Sequence, residues 1–512
     1  MKAVTFNEFG GSVGGPIIQD RLFFYGSYSP RNENSRNNYN FTDANGDIAR
    51  DIWTQQVFGK LTMNARRANI NLSSLWTPTK ATGTLRAYDA PTPNGLLSTQ
   101  QALRPNIDRG YETNMFNTIG SVDVTLSDTS FLSMRGGYRL DRYSDTGIPQ
   151  TTPWTYGNAT TAVNSLIPAS LQGPSGLTNT PRAQITDFDT TKRANFNADY
   201  NHVLNWGGLH TIKAGYGFQH VVNDINSYYP GGYVNIFWGS SYTFGGQTGT
   251  GTYGYYEVND RRITNKAGSN IHALYVQDQW TVGRKLTLNL GIRTEDEKVP
   301  TFRPEYQKTA MHFTFADKLA PRLGASYDLW GDGRMKVFGS WGLYYDWTKY
   351  ELPRGSFGAE TWCIYYRGLN TLDINSLNLS NLPGNDLWIN PGSCRDRRQP
   401  AFADSIDPNI KPMRQSSVSG GMEYQVGRNS VVTAHYIHND LLETIEDLGF
   451  CEKGEGGRFV SDGGLVAPHG RLPFNTDGGG LCNNHPGNRG GMTKILEAVR
   501  QVRGEAHPAV QV

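Results

Sequence analysis

No stretch of this 512-residue chain comes near 18 consecutive apolar residues, so it encodes no helix able to cross a membrane. Met1 to Asn7 hold no apolar run that could serve as a secretory leader. Charge is scarce too: only 18% of residues are Asp, Glu, Lys or Arg, and 48 basic against 46 acidic side chains leave +2. That near balance gives no electrostatic reason to expect nucleic acid as a partner. Hydrophobic residues reach only 37% and mean hydropathy is −0.53, which sits poorly with a length that would suit three or four soluble domains.

What is abundant points elsewhere. Glycine (59) and aromatics (12%) are plentiful, which excludes both a disordered chain and a helical array. A transmembrane β-barrel is compatible with all of this, because its strands show only half their residues to lipid.

Strict alternation recurs along the chain. Leu286, Leu288, Leu290 and Ile292 share one parity, and Thr287, Asn289, Gly291 and Arg293 the other. Leu132, Met134, Tyr138 and Leu140 alternate with Ser133, Arg135, Arg139 and Asp141; Ile212, Ala214, Tyr216 and Phe218 alternate with Lys213, Gly215, Gly217 and Gln219. Further copies are Leu323/Ala325/Tyr327/Leu329 and Val337/Trp341/Leu343/Tyr345.

Short turns alternate with long segments rich in Gly, Pro, Asn and Ser. The turns fall near Ile18–Arg21, Arg66–Ala68, Ser127–Ser130, Asn205–Leu209, Thr281–Lys285, Trp330–Arg334 and Gly427–Asn429. The long segments are roughly Thr77–Tyr111, Ser144–Thr190, Asn223–Asn270 and Thr348–Gln415, with shorter ones around Ser29–Gln56 and Thr294–Leu319. Seven hairpins predict about fourteen strands, with every long loop on one rim, the layout of an outer-membrane barrel. A soluble β-sandwich or solenoid is the competing architecture, but a sandwich of this length should divide into domains with turns every 8–12 residues. Tyr25, Tyr28, Trp76, Tyr143, Trp280, Trp341 and Trp347 lie near strand ends and suit interfacial girdles, although each could equally be core packing.

Asn7-Glu-Phe-Gly-Gly-Ser-Val-Gly-Gly-Pro-Ile-Ile-Gln-Asp-Arg-Leu-Phe-Phe-Tyr-Gly-Ser-Tyr28 resembles the segment that opens the barrel of Oar-like TonB-dependent receptors. Leu274-Tyr-Val-Gln-Asp-Gln-Trp280, Lys285-Leu-Thr-Leu-Asn-Leu-Gly-Ile-Arg293 and Leu319-Ala-Pro-Arg-Leu-Gly-Ala-Ser-Tyr-Asp328 are similar to the middle of the same barrel. The resemblance implies a Gram-negative outer-membrane transporter of about 22 strands, plugged at its N-terminal side and powered by the TonB complex. Its partners would be outer-membrane lipid, TonB and a solute of unknown identity. No plug, TonB-contacting segment or signal peptide stands before Phe6, so the start reads as a fragment boundary, and about fourteen strands fall about eight short of closure. The fold expected is therefore all-β, an incomplete antiparallel transmembrane barrel over residues 1–446. An open barrel would leave edge N–H and C=O groups in lipid, so this part is not expected to transport by itself.

After Asp447 the pattern changes. Met492, Ile495, Leu496, Val499 and Val502 fall on one helical face. Phe450-Cys-Glu-Lys-Gly-Glu-Gly-Gly-Arg-Phe-Val460, Arg471-Leu-Pro-Phe-Asn-Thr-Asp-Gly-Gly-Gly480 and Asn484-His-Pro-Gly487 resemble the C-terminal half of a thiolase-like acyltransferase, implying a small α/β tail over 447–512. That family's His-Pro histidine corresponds to His485. Its partner, a nucleophilic Cys from the other half of the fold, has no counterpart here, since Cys451 and Cys482 do not match the nucleophile's motif. His485 is thus an orphaned family residue, and no enzyme activity is expected. A cytosolic acyltransferase piece on an outer-membrane barrel suggests a chimera joined near Ile445-Glu-Asp-Leu-Gly449.

Cys363 and Cys394 lie in one long segment that the barrel reading puts outside the cell, where an oxidising compartment favours a disulfide over two free thiols. His435 and His438 point to opposite faces of a strand and cannot chelate together. No zinc spacing occurs, and no metal or cofactor is expected. Gly10, Gly11, Gly14 and Gly15 miss the dinucleotide-binding pattern and suit close backbone packing. Glu295-Asp-Glu297 could hold a divalent cation but reads better as a solvated acidic loop. Arg135, Arg139, Asp141, Lys213, Gln219, Arg293, Arg322 and Asp328 are the candidates to line the lumen, touching a plug or solute or pairing with one another. The functions in contention are a partial receptor, a surface adhesion or matrix protein that uses the same loops without transport, and a thiolase-like acyltransferase resting on the tail alone.

Overall fold

The computed structural model describes residues 3–40, 45–83, 110–148, 150, 152–179, 184–244, 246–380, 393–396, 406, 410–442, 455–464 and 471. Fourteen strands form the wall: β1 (Gly11–Ile18), β2 (Leu22–Tyr28), β3 (Val57–Ala65), β4 (Ala68–Thr82), β5 (Gly110–Ser127), β6 (Ser130–Thr146) and β7 (Ile185–Asn205). They continue with β8 (Leu209–Tyr228), β9 (Gly254–Val282), β10 (Leu286–Pro300), β11 (Ala320–Asp328), β12 (Met335–Tyr345), β13 (Arg414–Val426) and β14 (Ser430–Leu442). Each pairs antiparallel with the next in chain order. Eight further strands bring the sheet to 22 segments. Among the described residues β1 and β14 each have one wall neighbour, so the wall is open there.

The seven short turns lie where the sequence placed them. The one after β11 shows why: the Asp328 carboxylate accepts from the backbone N–H of Gly331 (2.8 Å) and Gly333 (2.9 Å). Both glycines have positive φ, +77° and +75°, which a side chain would strain.

The long segments differ from expectation. Asn223–Asn270, read as loop, contains the last residues of β8 and the first seventeen of the 29-residue β9. Arg31–Asn40 and Asn45–Thr54 are also paired strands. A strand of 29 residues spans roughly 95 Å at ~3.3 Å per residue, far beyond the 9–11 residues a membrane needs. Beyond the lipid neither face of the sheet must be apolar, so alternation ends while the ladder continues.

Residues opposed across an antiparallel ladder face the same side, so register carries a face from strand to strand. One row runs Ser121, Arg135, Asn197, Gly217, Ala273 and Glu295, small or polar throughout. The opposite face carries Leu61, Leu72, Leu274, Val276, Leu290, Leu323 and Val418, each 41–47% exposed. That apolar outer face is what a lipid-embedded wall requires.

The largest packed core lies at the loop rim. Tyr156, Val234, Ile236, Trp238, Tyr256, Val258 and Leu369 are buried together, with Tyr156 against Trp238 edge-on at 5.3 Å. The Tyr156 hydroxyl donates to the Leu171 carbonyl at 2.9 Å, and burial pushes its pKa up to about 12. This core uses the single parallel pairing among the described strands, Trp154–Tyr156 with Tyr233–Trp238. Of the tail, only residues 455–464 and 471 are described, with a short helix over Gly456–Ser461; Cys451, Cys482, His485 and the 492–503 helix lie outside the described residues.

Two local expectations are corrected. A Cβ on Gly14 would sit 3.0 Å from the Phe24 carbonyl oxygen and one on Gly10 3.2 Å from the Ser29 Oγ, but Gly11 and Gly15 face open space, so close packing explains only the first pair. Of the girdle aromatics, Tyr28, Trp76, Trp280 and Trp341 share the apolar outer face, whereas the register puts Tyr25 and Tyr143 on the inner one. Trp347 also turns inward, donating from Nε1 to Glu295 at 2.8 Å. An aromatic near a strand end is legible in sequence; its side depends on counting residues from the turn.

Candidate functional site

The site is built on the inner face where the strands leave the lipid. Register puts Arg135, Arg139, Asp141, Lys213, Gln219, Arg293, Arg322 and Asp328 all on that face. Five of them make local side-chain contacts. Arg139 and Asp141 make a two-pronged contact at 2.6 and 3.2 Å, and with both side chains well exposed it contributes less than about 1 kcal/mol. Lys213 lies 3.3 Å from Asp199, which also accepts from the Tyr275 hydroxyl. Arg293 and Lys213 both sit over the Tyr275 ring, at 5.5 and 5.7 Å. The Arg322 guanidinium lies 4.6 Å from the Tyr344 ring centre. Gln219 is buried, and Asp328 is committed to its turn.

The acidic run at 295–297 is neither a solvated loop nor a cation cage. It continues β10, so Glu295 and Glu297 face inward and Asp296 outward. Glu297 hydrogen-bonds Lys318 Nζ, and Glu295 takes Arg293 at 2.8 Å and Lys318 at 3.8 Å. Lys318 is completely buried and also donates to the Asp346 carbonyl at 3.2 Å. Outside, Asp296 pairs with His312 at 2.8 Å.

The segment after β12 folds back over this inner face. The Thr348 N–H donates to Glu297 at 2.8 Å, and the Tyr350 hydroxyl meets the Val221 carbonyl at 2.9 Å and the Ser269 hydroxyl at 3.0 Å. Burial raises the Tyr350 pKa. A short helix, Glu351–Ser356, then carries Arg354 to Asp189 at 2.8 Å. Four contacts thus tie one strap to β7, β8, β9 and β10. Composition gave no sign of it, because a strap needs no periodicity; only Glu295-x-Glu297, continuing the inner parity of Arg293, could have flagged its footing.

Beneath the strap lies a cavity of about 770 Å³ lined by Thr77, Met115, Asp141, Thr191, Asn223 and Arg354. The first five are successive register partners across β4 to β8. Hydroxyls, an amide, one thioether and charges of both signs can orient a polar solute by hydrogen bonds. Among the described residues no group of three His, Cys, Asp or Glu converges for a metal. His435 and His438 lie on opposite faces, His435 edge-on to Phe338 at 5.3 Å. Cys363 is disulfide-bonded, and its backbone register partner is Cys394.

A family model described as an outer membrane beta barrel domain matches residues 1–166 and 82–445, and a thiolase C-terminal domain-like model matches 435–512. The TonB-dependent transporter Oar of Myxococcus xanthus is 26% identical over 525 residues, covering 87% of this chain and 48% of the transporter. The chain therefore spans about half the length of that relative. An acetyl-CoA acetyltransferase of Methanothermobacter thermautotrophicus is 47% identical over 68 residues, 13% of this chain and 17% of that protein. Among solved structures, the outer membrane transporter YddB from Escherichia coli aligns with a TM-score of 0.49 and 13% identity, covering 85% of this chain and 46% of that one. The similarity of the barrel part is to a transporter, not to an enzyme.

Proposed function

The chain belongs to the outer membrane beta barrel domain family, and on that premise we propose that its barrel is the receptor part of a TonB-dependent importer whose loop-side mouth binds a polar solute. Its sheet sits in the outer membrane of a Gram-negative cell. The observation that carries the reading is the coincidence of a polar inner face, an apolar outer face and a mouth cavity roofed by the 346–359 strap. The solute would enter from the loop side, contact Asp141, Asn223 and Arg354, and be moved inward at the expense of energy delivered by TonB. The disulfide at Cys363 would close on Cys394 and stiffen the outer loop that bears it. Residues 1–446 and 447–512 are proposed as two units of different ancestry, the second having no role in uptake.

The test incubates the purified chain in detergent with concentrated culture medium and identifies retained small molecules by mass spectrometry. Wild type should retain a defined polar solute that Asp141→Ala and Asn223→Ala release. Retention of no solute, with intact cells instead adhering through the loops, would replace the receptor reading by adhesion.

A further inference from the structure

The outer face changes character along β8, β9 and β10. On β8 it runs Ala214, Tyr216, Phe218, His220; on β9, Val276, Leu274, His272, Asn270; on β10, Ile292, Thr294, Asp296, Lys298. Apolar side chains give way to polar ones on all three strands, after Phe218 on β8, Leu274 on β9 and Ile292 on β10, one register row earlier on each successive strand. With the lower residues in hydrocarbon, the upper ones stand at the height of lipid headgroups, and the Tyr216 hydroxyl shares a hydrogen bond with His272 Nδ1 at 2.8 Å across the boundary.

At that level is an open pocket of about 250 Å³ lined by His220, His272, Lys298 and Lys308, with Asn270 and Asp296. Asp296, the one carboxylate in it, is paired with His312. Lys298 and Lys308 are exposed and have no ion-pair partner among the described residues. Below, on the same strands and on β7, the wall carries an apolar groove of about 560 Å³ lined by Ala198 and Tyr200 of β7 with Ala214, Tyr216, Leu274, Val276 and Ile292. A cationic pocket directly above an apolar groove is the arrangement that fits a phosphate on top of acyl chains.

We propose that this part of the outer wall binds one phosphorylated lipid of the outer leaflet, Lys298 and Lys308 taking the phosphate and the groove an acyl chain. The binding site is separate from the lumen, and the inference rests on the reading that this face is embedded in lipid. A lysine near a charged lipid surface is worth about fivefold in affinity, so the pair should enrich the lipid roughly tenfold or more.

The test places the full chain in phosphatidylcholine nanodiscs containing either diphosphorylated lipid A or its dephosphorylated form, and counts retained lipid by native mass spectrometry. Insertion is scored separately by heat-modifiable migration and protease protection. Wild type and Lys298→Arg/Lys308→Arg should retain one phosphorylated lipid. Lys298→Glu/Lys308→Glu should fall to the bulk level, and the lumen-side reversal Lys60→Glu should not. Equal retention of both lipid forms by an inserted chain overturns the inference and leaves the barrel reading standing. Displacement of the lipid by millimolar inorganic phosphate would make the ligand a free anion and overturn it too. Failure to insert overturns both.

Discussion

Leu72 and Asn71 are neighbours on β4 and, if the wall spans a membrane, they live in different solvents. Leu72 faces outward beside Leu61 and is 45% exposed; Asn71 faces the lumen and accepts from the Thr62 hydroxyl at 3.0 Å. Five residues separate Leu72 from the turn at Arg66–Arg67, about 17 Å along the strand at ~3.3 Å per residue, or roughly 13 Å in height after barrel tilt. That is near the middle of an apolar band about 25 Å tall. An arginine there should cost about 2–4 kcal/mol, a drop of roughly 30-fold to 900-fold in the folding constant. In a soluble sheet a half-exposed leucine replaced by arginine should change stability by about 0.5 kcal/mol at most. Asn71→Arg loses one hydrogen bond, about 1 kcal/mol, in either architecture. Folding into phosphatidylcholine vesicles followed by urea titration on tryptophan fluorescence measures all three chains. If Leu72→Arg costs no more than Asn71→Arg, the assignment of the two faces is refuted.

Lys318→Met leaves Glu297 buried without its cation and should destabilise by about 3–5 kcal/mol, most of it recovered in Lys318→Met/Glu297→Gln, as a urea-denaturation double-mutant cycle would reveal. Asp317, in the loop before β11, accepts from the Thr314 hydroxyl at 2.7 Å and its N–H at 2.9 Å, which lowers its pKa. A depressed folded-state pKa stabilises above the unfolded value and loses that contribution as pH falls through the folded one, so the Asp317 carboxyl carbon resonance should titrate below the ordinary carboxylate range. Equality with a model peptide would refute the hydrogen bonds. Blocking the disulfide with Cys363→Ser should raise protease cleavage between 361 and 396 while heat-modifiable migration of the wall is unchanged; unaltered cleavage would remove any stiffening role. In outer-membrane fractions the tryptic peptide Val337–Lys349 should be detected without Asn429–Lys453, which crosses the join of the two units; finding both would establish a single fused product.

The seven turns and the inner and outer parities of the wall were legible because both are local. A side chain's face follows from counting by twos, and a hairpin turn needs residues that accept a tight bend, as at Asp328, Gly331 and Gly333. Lipid outside and water inside then enforce the alternation, so Leu290 and Asn289 could be assigned from sequence alone. The family resemblance was equally readable, since its motifs lie in contiguous runs.

What the sequence could not determine is everything that depends on distant segments meeting. Glu295 and Glu297 looked like solvated charges until the fold brought Lys318 and Thr348 to them. Tyr350 and Arg354 carried no pattern, yet they reach Val221 and Asp189, 129 and 165 residues away. Strand length beyond the lipid was hidden too, because there loops cover either face, as they do at Tyr256 and Val258, and no lipid–water contrast writes a period of two into the chain. The wall is a pattern imposed by two solvents, and the mouth is a packing solution among loops, which only the tertiary structure decided.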